Sequence, residues 1–194
     1  MKVVAIAGGS GSGKTTLGSY IVEQDPLVSL LISLDNYYLN KDEQIIRNGF
    51  CNFDHPLALD KELLLSNLKE LDSNYETNIP KYCFRRRDRV DYQKVKKPSI
   101  VVIEGLYAIE FLKEIEAAKI FVEADSDLLL ARRIKRDLKN RGRSLDNIFE
   151  QYFSEVKPAY DNYIVHQKNI ANFLIKNNGQ NIEMFLSKFR ELDV

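Results

Sequence analysis

Gly8-Gly9-Ser10-Gly11-Ser12-Gly13-Lys14-Thr15, followed by Thr16, stands between an apolar run and a helical pattern. The spacing satisfies G-x-x-x-x-G-K-[ST]. Its glycines let successive backbone N–H groups point inward at phosphate oxygens, and the next helix adds the partial positive charge of its N-terminus. In that chemistry Lys14 reaches the β- and γ-phosphates of a nucleoside triphosphate, and the Thr15 hydroxyl ligates Mg²⁺. Gly8, Gly9, Ser10, Gly11, Ser12, Gly13, Lys14, Thr15 and Thr16 are therefore the candidate nucleotide-binding residues. Such a loop specifies a triphosphate and Mg²⁺ but no particular reaction, because switches, motors and small-molecule kinases share it.

Two carboxylates follow apolar runs. Asp35, in Leu34-Asp35-Asn36-Tyr37-Tyr38, suits a group that accepts the proton of an attacking hydroxyl and helps hold the metal; its position also suits a helix cap. Glu104 ends Val102-Ile103-Glu104-Gly105, where proteins with this loop keep the carboxylate that assists Mg²⁺ or its waters. Thr15, Asp35 and Glu104 form the candidate metal set.

These groups must be held by a folded scaffold. The chain has 194 residues with 44% hydrophobic and 29% charged residues, an ordinary globular balance that predicts one domain over 1–194. Lys plus Arg number 28 and Asp plus Glu 28, which disfavours a general polyanion binder or an acidic disordered chain. Two cysteines give no disulfide framework and no zinc-ligand cluster. No apolar run approaches the ~18 residues that span a bilayer, so no membrane association and a cytoplasmic location are expected. The neutral total is unevenly spread. Lys81–Lys97 holds eight positive and two negative residues, and Arg132–Arg143 seven and one.

Short apolar runs at Lys2–Ala7, Val28–Leu34, Ser99–Ile103 and Lys119–Glu123, with a weaker one at Ala171–Ile175, read as strands buried on both faces. Spacings of three and four predict helices over Thr15–Gln24, Lys61–Leu71, Ile109–Ala118, Asp127–Lys139, Leu145–Ile164 and Ile182–Leu192. The alternation predicts an α/β fold: a P-loop NTPase-type, three-layer arrangement with a central, mainly parallel sheet and ligands at the strands' carboxyl ends. Residues 72–98 read as an irregular or hairpin insertion beside the site. The basic stretch at 132–146 reads as a solvated helix face, a nucleic-acid patch, or an arginine-rich lid that offsets charge on a transferring phosphoryl group.

The motifs resemble the uridine kinase (uridine–cytidine kinase) family from Lys2 to about Ile164: GGSGSGKTT, LDNYYL, NFDHPLALD at Asn52–Asp60, P-x-Y-x-F at Pro80–Phe84, IEGLYA at Ile103–Ala108, the run Arg132–Tyr152, and KPAYDNYI at Lys157–Ile164. The resemblance implies ATP-dependent phosphorylation of a pyrimidine ribonucleoside 5′-hydroxyl, most simply uridine to UMP, with Mg²⁺, and with GTP as the alternative donor. It implies Asp35 as general base and Asp54 as a ligand of the ribose hydroxyls. It also implies Tyr82 against the base, and Arg133, Arg136, Arg141, Arg143 and Gln151 around the nucleoside and the phosphates; Lys14, Arg136 and Arg141 then join Asp35 in the catalytic set. Read from the residues alone, Asn52–His55 is also a capped turn, and Tyr82 and Phe84 are also core aromatics; on the ligand reading, Phe84 offers a wall for stacking the pyrimidine. Where the family usually carries a histidine contacting the base, this chain has Arg87, a donor suited to the O4 of uracil. The resemblance further implies a homo-oligomer, a tetramer or dimer, with a small-molecule nucleoside substrate and no stable nucleic-acid partner. Other readings of the same residues are a kinase for a nicotinamide riboside, pantothenate or phosphoribulose type of acceptor, and a non-kinase nucleotide- or nucleic-acid-binding ATPase.

Overall fold

The structure, a computed structural model, describes residues 1–179; the expected helix Ile182–Leu192 lies outside the described residues. In chain order the elements are β1 (Lys2–Gly8), α1 (Lys14–Gln24), β2 (Ser29–Ser33), α2 (Lys41–Asn48), α3 (Lys61–Asn74), β3 (Glu76–Cys83), β4 (Asp88–Lys96), β5 (Ile100–Glu104), α4 (Ala108–Phe111), β6 (Ala118–Glu123), α5 (Ser126–Arg141), α6 (Leu145–Gln151), α7 (Lys157–Ala159) and β7 (Phe173–Lys176). β2-β5-β1-β6-β7 form one sheet with every pair parallel, and β3 and β4 form a separate antiparallel hairpin. This is the α/β fold with a central parallel sheet that the alternation predicts.

Period-two burial builds the layers. Val4 and Ile6 of β1, with Val102, Ile120 and Val122, pack against Leu17, Tyr20 and Ile21 of α1. Ala5 and Ala7, with Ile103 and Phe121, share the other core with Leu64, Leu68 and Leu71 of α3 and with Ile79 and Val95 of the hairpin. Neither face is left to solvent, which is why the strands read as continuous apolar runs. A buried polar chain fixes the hairpin to α3: Tyr37 Oη donates to Asn67 Oδ1 at 3.1 Å, Asn67 Nδ2 to Thr77 Oγ1 at 3.0 Å, and Thr77 Oγ1 to Glu70 Oε2 at 2.7 Å.

Three elements differ from expectation. α2 was not expected; Asn40 and Glu43 cap it reciprocally and Gly49 closes it in a left-handed conformation, a signal of capping rather than of apolar spacing. The helix expected over Ile109–Ala118 stops at Phe111, because Leu112–Ala117 turns back, with Ile115 N–H donating to Leu112 O, to deliver Ala118 to β6. The helix expected over Leu145–Ile164 contains two π-helical turns, Tyr152–Val156 and Tyr160–Ile164, and continues as a 3₁₀ turn to Ile170. No helix among the described residues is long and apolar enough to cross a membrane.

Candidate active site

The loop after β1 turns at Gly8, whose φ is +150°; a Cβ there would lie 2.1 Å from Val122 O. Only glycine fits this approach. α1 then starts at Lys14 with no side-chain cap and no acid in its first turn, whereas α3 is capped by Asp60 and α6 by Ser144. The bare N-terminus leaves its N–H groups to an anion. Lys14 is 7% exposed, and its ammonium donates to Gly9 O at 2.9 Å. Burial pulls its pKa down, opposed by Glu104 and Asp35.

A cavity of 340 Å³ opens over this loop. Ser10, Gly11, Gly13, Lys14, Thr15 and Thr16 line it together with Asp35, Glu104, Arg133, Arg136 and Arg141. Gly8, Gly9 and Ser12 shape the loop from behind: Gly9 packs against Leu129 and Tyr160, and Ser12 is fully buried. Asp35 is not a cap. Ser33 Oγ accepts from Asp35 N at 3.3 Å and donates to Glu104 Oε1 at 2.6 Å. Burial, then Glu104, raises the Asp35 pKa to about 6, against Lys14, Arg141 and Arg136. A carboxylate that titrates near neutrality can accept a proton at working pH. Two mutually repelling carboxylates beside the Thr15 hydroxyl are a hard-oxygen donor set that a divalent cation would relieve, so these residues fit Mg²⁺.

A second cavity of 480 Å³ is lined by Tyr82, Phe84, Arg87, Arg143 and Gln151. Tyr38, Asp54 and Phe84 line both cavities, so the two meet there. Asn52–His55 does form a turn, with Asp54 N–H donating to Asn52 Oδ1 at 2.8 Å, and the turn delivers the Asp54 carboxylate, 7% exposed, to the junction. Burial raises its pKa, opposed first by Arg133. Gln151 Nε2 donates to Asp54 Oδ2 at 3.3 Å, and Gln151 Oε1 accepts from Arg133 at 2.9 Å and also from Arg143. Phe84 is no core aromatic: it is 46% exposed, with its ring 4.6 Å from the Arg141 guanidinium carbon. Tyr82 packs against Tyr38 and Phe84 with ring centroids 5.5 and 5.4 Å away.

Several residues that complete the site carry no motif that marks their roles. Tyr38, buried between Phe53, Tyr82 and Phe84, is the wall between the cavities. Tyr107 Oη donates to Asp54 O, and Arg132 ties Gly11 O to Asn177 O at 3.2 and 3.1 Å. The repeated tyrosine of the LDNYYL string was a usable signal for Tyr38; nothing in the local pattern marked Asn177.

The profile of the phosphoribulokinase/uridine kinase family matches residues 3–182. The chain belongs to this family. It is 36% identical over 198 residues to the uridine kinase of Staphylococcus aureus (strain JH9), covering 98% of this chain and 96% of that one. It is 37% identical over 185 residues to uridine-cytidine kinase A of Dictyostelium discoideum, covering 93% of this chain and 37% of that longer relative. The fold is that of the phosphoribulokinase of Rhodobacter spheroides, with a TM-score of 0.64, 16% identity, and coverage of 90% of this chain and 69% of that one.

Proposed function

We propose that this member of the phosphoribulokinase/uridine kinase family transfers the γ-phosphoryl group of ATP to the 5′-hydroxyl of uridine. One observation carries the reading: a phosphate-type cavity and an aromatic, carboxylate-bearing cavity meet at Asp54 and Phe84. The match to a full-length uridine kinase supports the acceptor class.

In this reading Asp54 accepts hydrogen bonds from the ribose hydroxyls, and a vicinal pair satisfies one ionised carboxylate best. Phe84 and Tyr82 flank the base, with Arg87 donating to it. Asp35 takes the 5′-hydroxyl proton, while Lys14, Arg136 and Arg141 offset charge on the transferring group. Thr15, Asp35 and Glu104 would hold Mg²⁺, which neutralises phosphate charge when bound. The arginines of the basic stretch line the two cavities, which supports a small-molecule role over a nucleic-acid patch. The same resemblance supports a homo-oligomer, measurable by sedimentation.

The test is a nucleoside panel with ATP and with GTP as donors, read by ADP or GDP release. Uridine-dependent ADP release is expected, and a flat panel overturns the proposal.

A further inference from the structure

The Asp137 side chain is fully buried, 0% exposed, yet four guanidinium groups surround it. Arg136 Nε donates to Oδ1 at 2.9 Å. Arg141 Nε lies 3.7 Å from the same oxygen, and Arg133 Nε and Arg143 Nη1 lie 3.7 and 3.8 Å from Oδ2. Oδ2 accepts no hydrogen bond among the described residues. Asp137 also acts through its backbone: its carbonyl accepts from the N–H groups of Gly142, left-handed at φ +61°, and of Arg143 at 3.4 Å. Side chain and backbone thus converge on the turn that joins α5 to α6.

Three of the four arginines approach through Nε, the stem side of the guanidinium. That leaves the forked ends, the part that matches phosphate oxygens, for other partners. Arg133 shows the division: its Nη atoms reach Ser10 Oγ at 3.5 Å and Gln151 Oε1 at 2.9 Å. Arg133, Arg136 and Arg141 all line the phosphate-type cavity. A single anion facing four cations leaves most of their charge unneutralised, and a structural ion pair would need only one of them.

We infer that Asp137 is a positioning residue: it holds Arg136 by an Nε–H hydrogen bond and draws Arg141 in by charge at 3.7 Å, so that their forked ends are aimed at the transferring phosphoryl group, and it keeps that hold when phosphate fills the cavity. The inference rests on the kinase reading for the identity of the reaction, not for the anchoring itself. Asp137 lines neither cavity, and because the arginines it positions face charge that develops on the transferring group, its removal should act on turnover more than on ground-state binding.

The test uses the full chain carrying Asp137→Asn. The expected result is a kcat at least 30-fold below wild type with KM for ATP within threefold; a wild-type kcat per folded molecule overturns the inference. Asp137→Glu keeps the charge one methylene out of place and serves if the Asn variant does not fold. It is expected to lower kcat by three- to tenfold, and an unchanged kcat in it overturns the inference equally. A readout independent of turnover is NMR of ¹⁵N-labelled arginine side chains saturated with inorganic tripolyphosphate. Slowly exchanging Nε–H signals are expected in wild type and absent from the substituted protein, and identical spectra overturn the anchoring. A wild-type protein silent toward every nucleoside but keeping these signals overturns the proposed function and leaves the anchoring standing.

Discussion

Ser33 Oγ donates to Glu104 Oε1 at 2.6 Å while accepting from the backbone N–H of Asp35 at 3.3 Å. One hydroxyl at the end of β2 thereby ties the Glu104 carboxylate at the end of β5 to the backbone of Asp35. β2 and β5 pair in parallel with Ser33 opposite Glu104, so sheet register sets the spacing of the acid pair. Ser33→Ala leaves Glu104 free to rotate, at a cost of about 1–2 kcal/mol. The expected outcome is a kcat about tenfold lower and a higher Mg²⁺ requirement, measured as rate against Mg²⁺ concentration. Rates that match wild type at every Mg²⁺ level would show that the hydroxyl orients nothing.

Asp35 sets the acid limb. Its pKa of about 6 applies before Mg²⁺ binds, and a bound cation lowers it, so the acid limb of kcat should fall below pH 6 and kcat should stay flat above pH 7. Asp35→Asn should lower kcat by ~10²–10⁴ with KM for ATP nearly unchanged. Near-full turnover in that variant would remove Asp35 from the mechanism.

The same shift makes a stability prediction of opposite sign. Between pH 3.8 and about 6 the folded protein binds more protons at Asp35 than the unfolded chain, so Asp35 costs stability as pH rises through that window. The full difference corresponds to no more than about 3 kcal/mol, and water in the cavity reduces it. In EDTA at pH 7.5, Asp35→Asn should melt about 2–6 °C higher than wild type. A lower melting temperature would contradict the electrostatic account.

Asp54 lines both cavities, and its carboxylate should weigh on the acceptor far more than on ATP. Asp54→Asn loses charged hydrogen bonds to the ribose, and KM for uridine should rise by about 10²-fold while KM for ATP moves less than threefold. Steady-state titration of each substrate separates the two. Equal rises in both KM values would instead point to a general collapse of the junction.

Arg87 should set base preference. It lines only the acceptor cavity and, as a donor without an acceptor, pairs with the O4 of uracil but not with the amino group of cytosine. Arg87 is exposed, so donors left unpaired opposite cytosine stay hydrated, and uridine should be preferred over cytidine by about two- to tenfold in kcat/KM, the ~0.5–1.5 kcal/mol of a net hydrogen bond. Arg87→Ala should narrow the ratio. Equal kcat/KM for the two nucleosides in the wild-type protein refutes this.

The parts of the fold that were legible in the sequence are those governed by local rules. The loop over Gly8–Thr15 needs glycines at set positions, and doubly buried strands need unbroken apolar runs, so β1, α1 and β5 could be placed directly. Tertiary demands governed the rest. The expected helix at Ile109 is cut to Ala108–Phe111 because the chain must return to β6, and no propensity encodes that. α2 carries too little apolar periodicity to be seen, although Asn40 and Glu43 spell its cap. In the site, charge count exposed the arginine cluster but not its organiser: Asp137 reads as one acid among seven bases until folding buries it.

The Phe84 ring lies under the Arg141 guanidinium and in the walls of both cavities. On the proposed function, acceptor choice and turnover share this side chain, and a change at Phe84 should disturb both. Arg87, confined to the acceptor side, carries no such linkage. A lineage acquiring a new acceptor would find its permissive route at Arg87, with Phe84, three residues away in the same hairpin turn, held in place by its second duty.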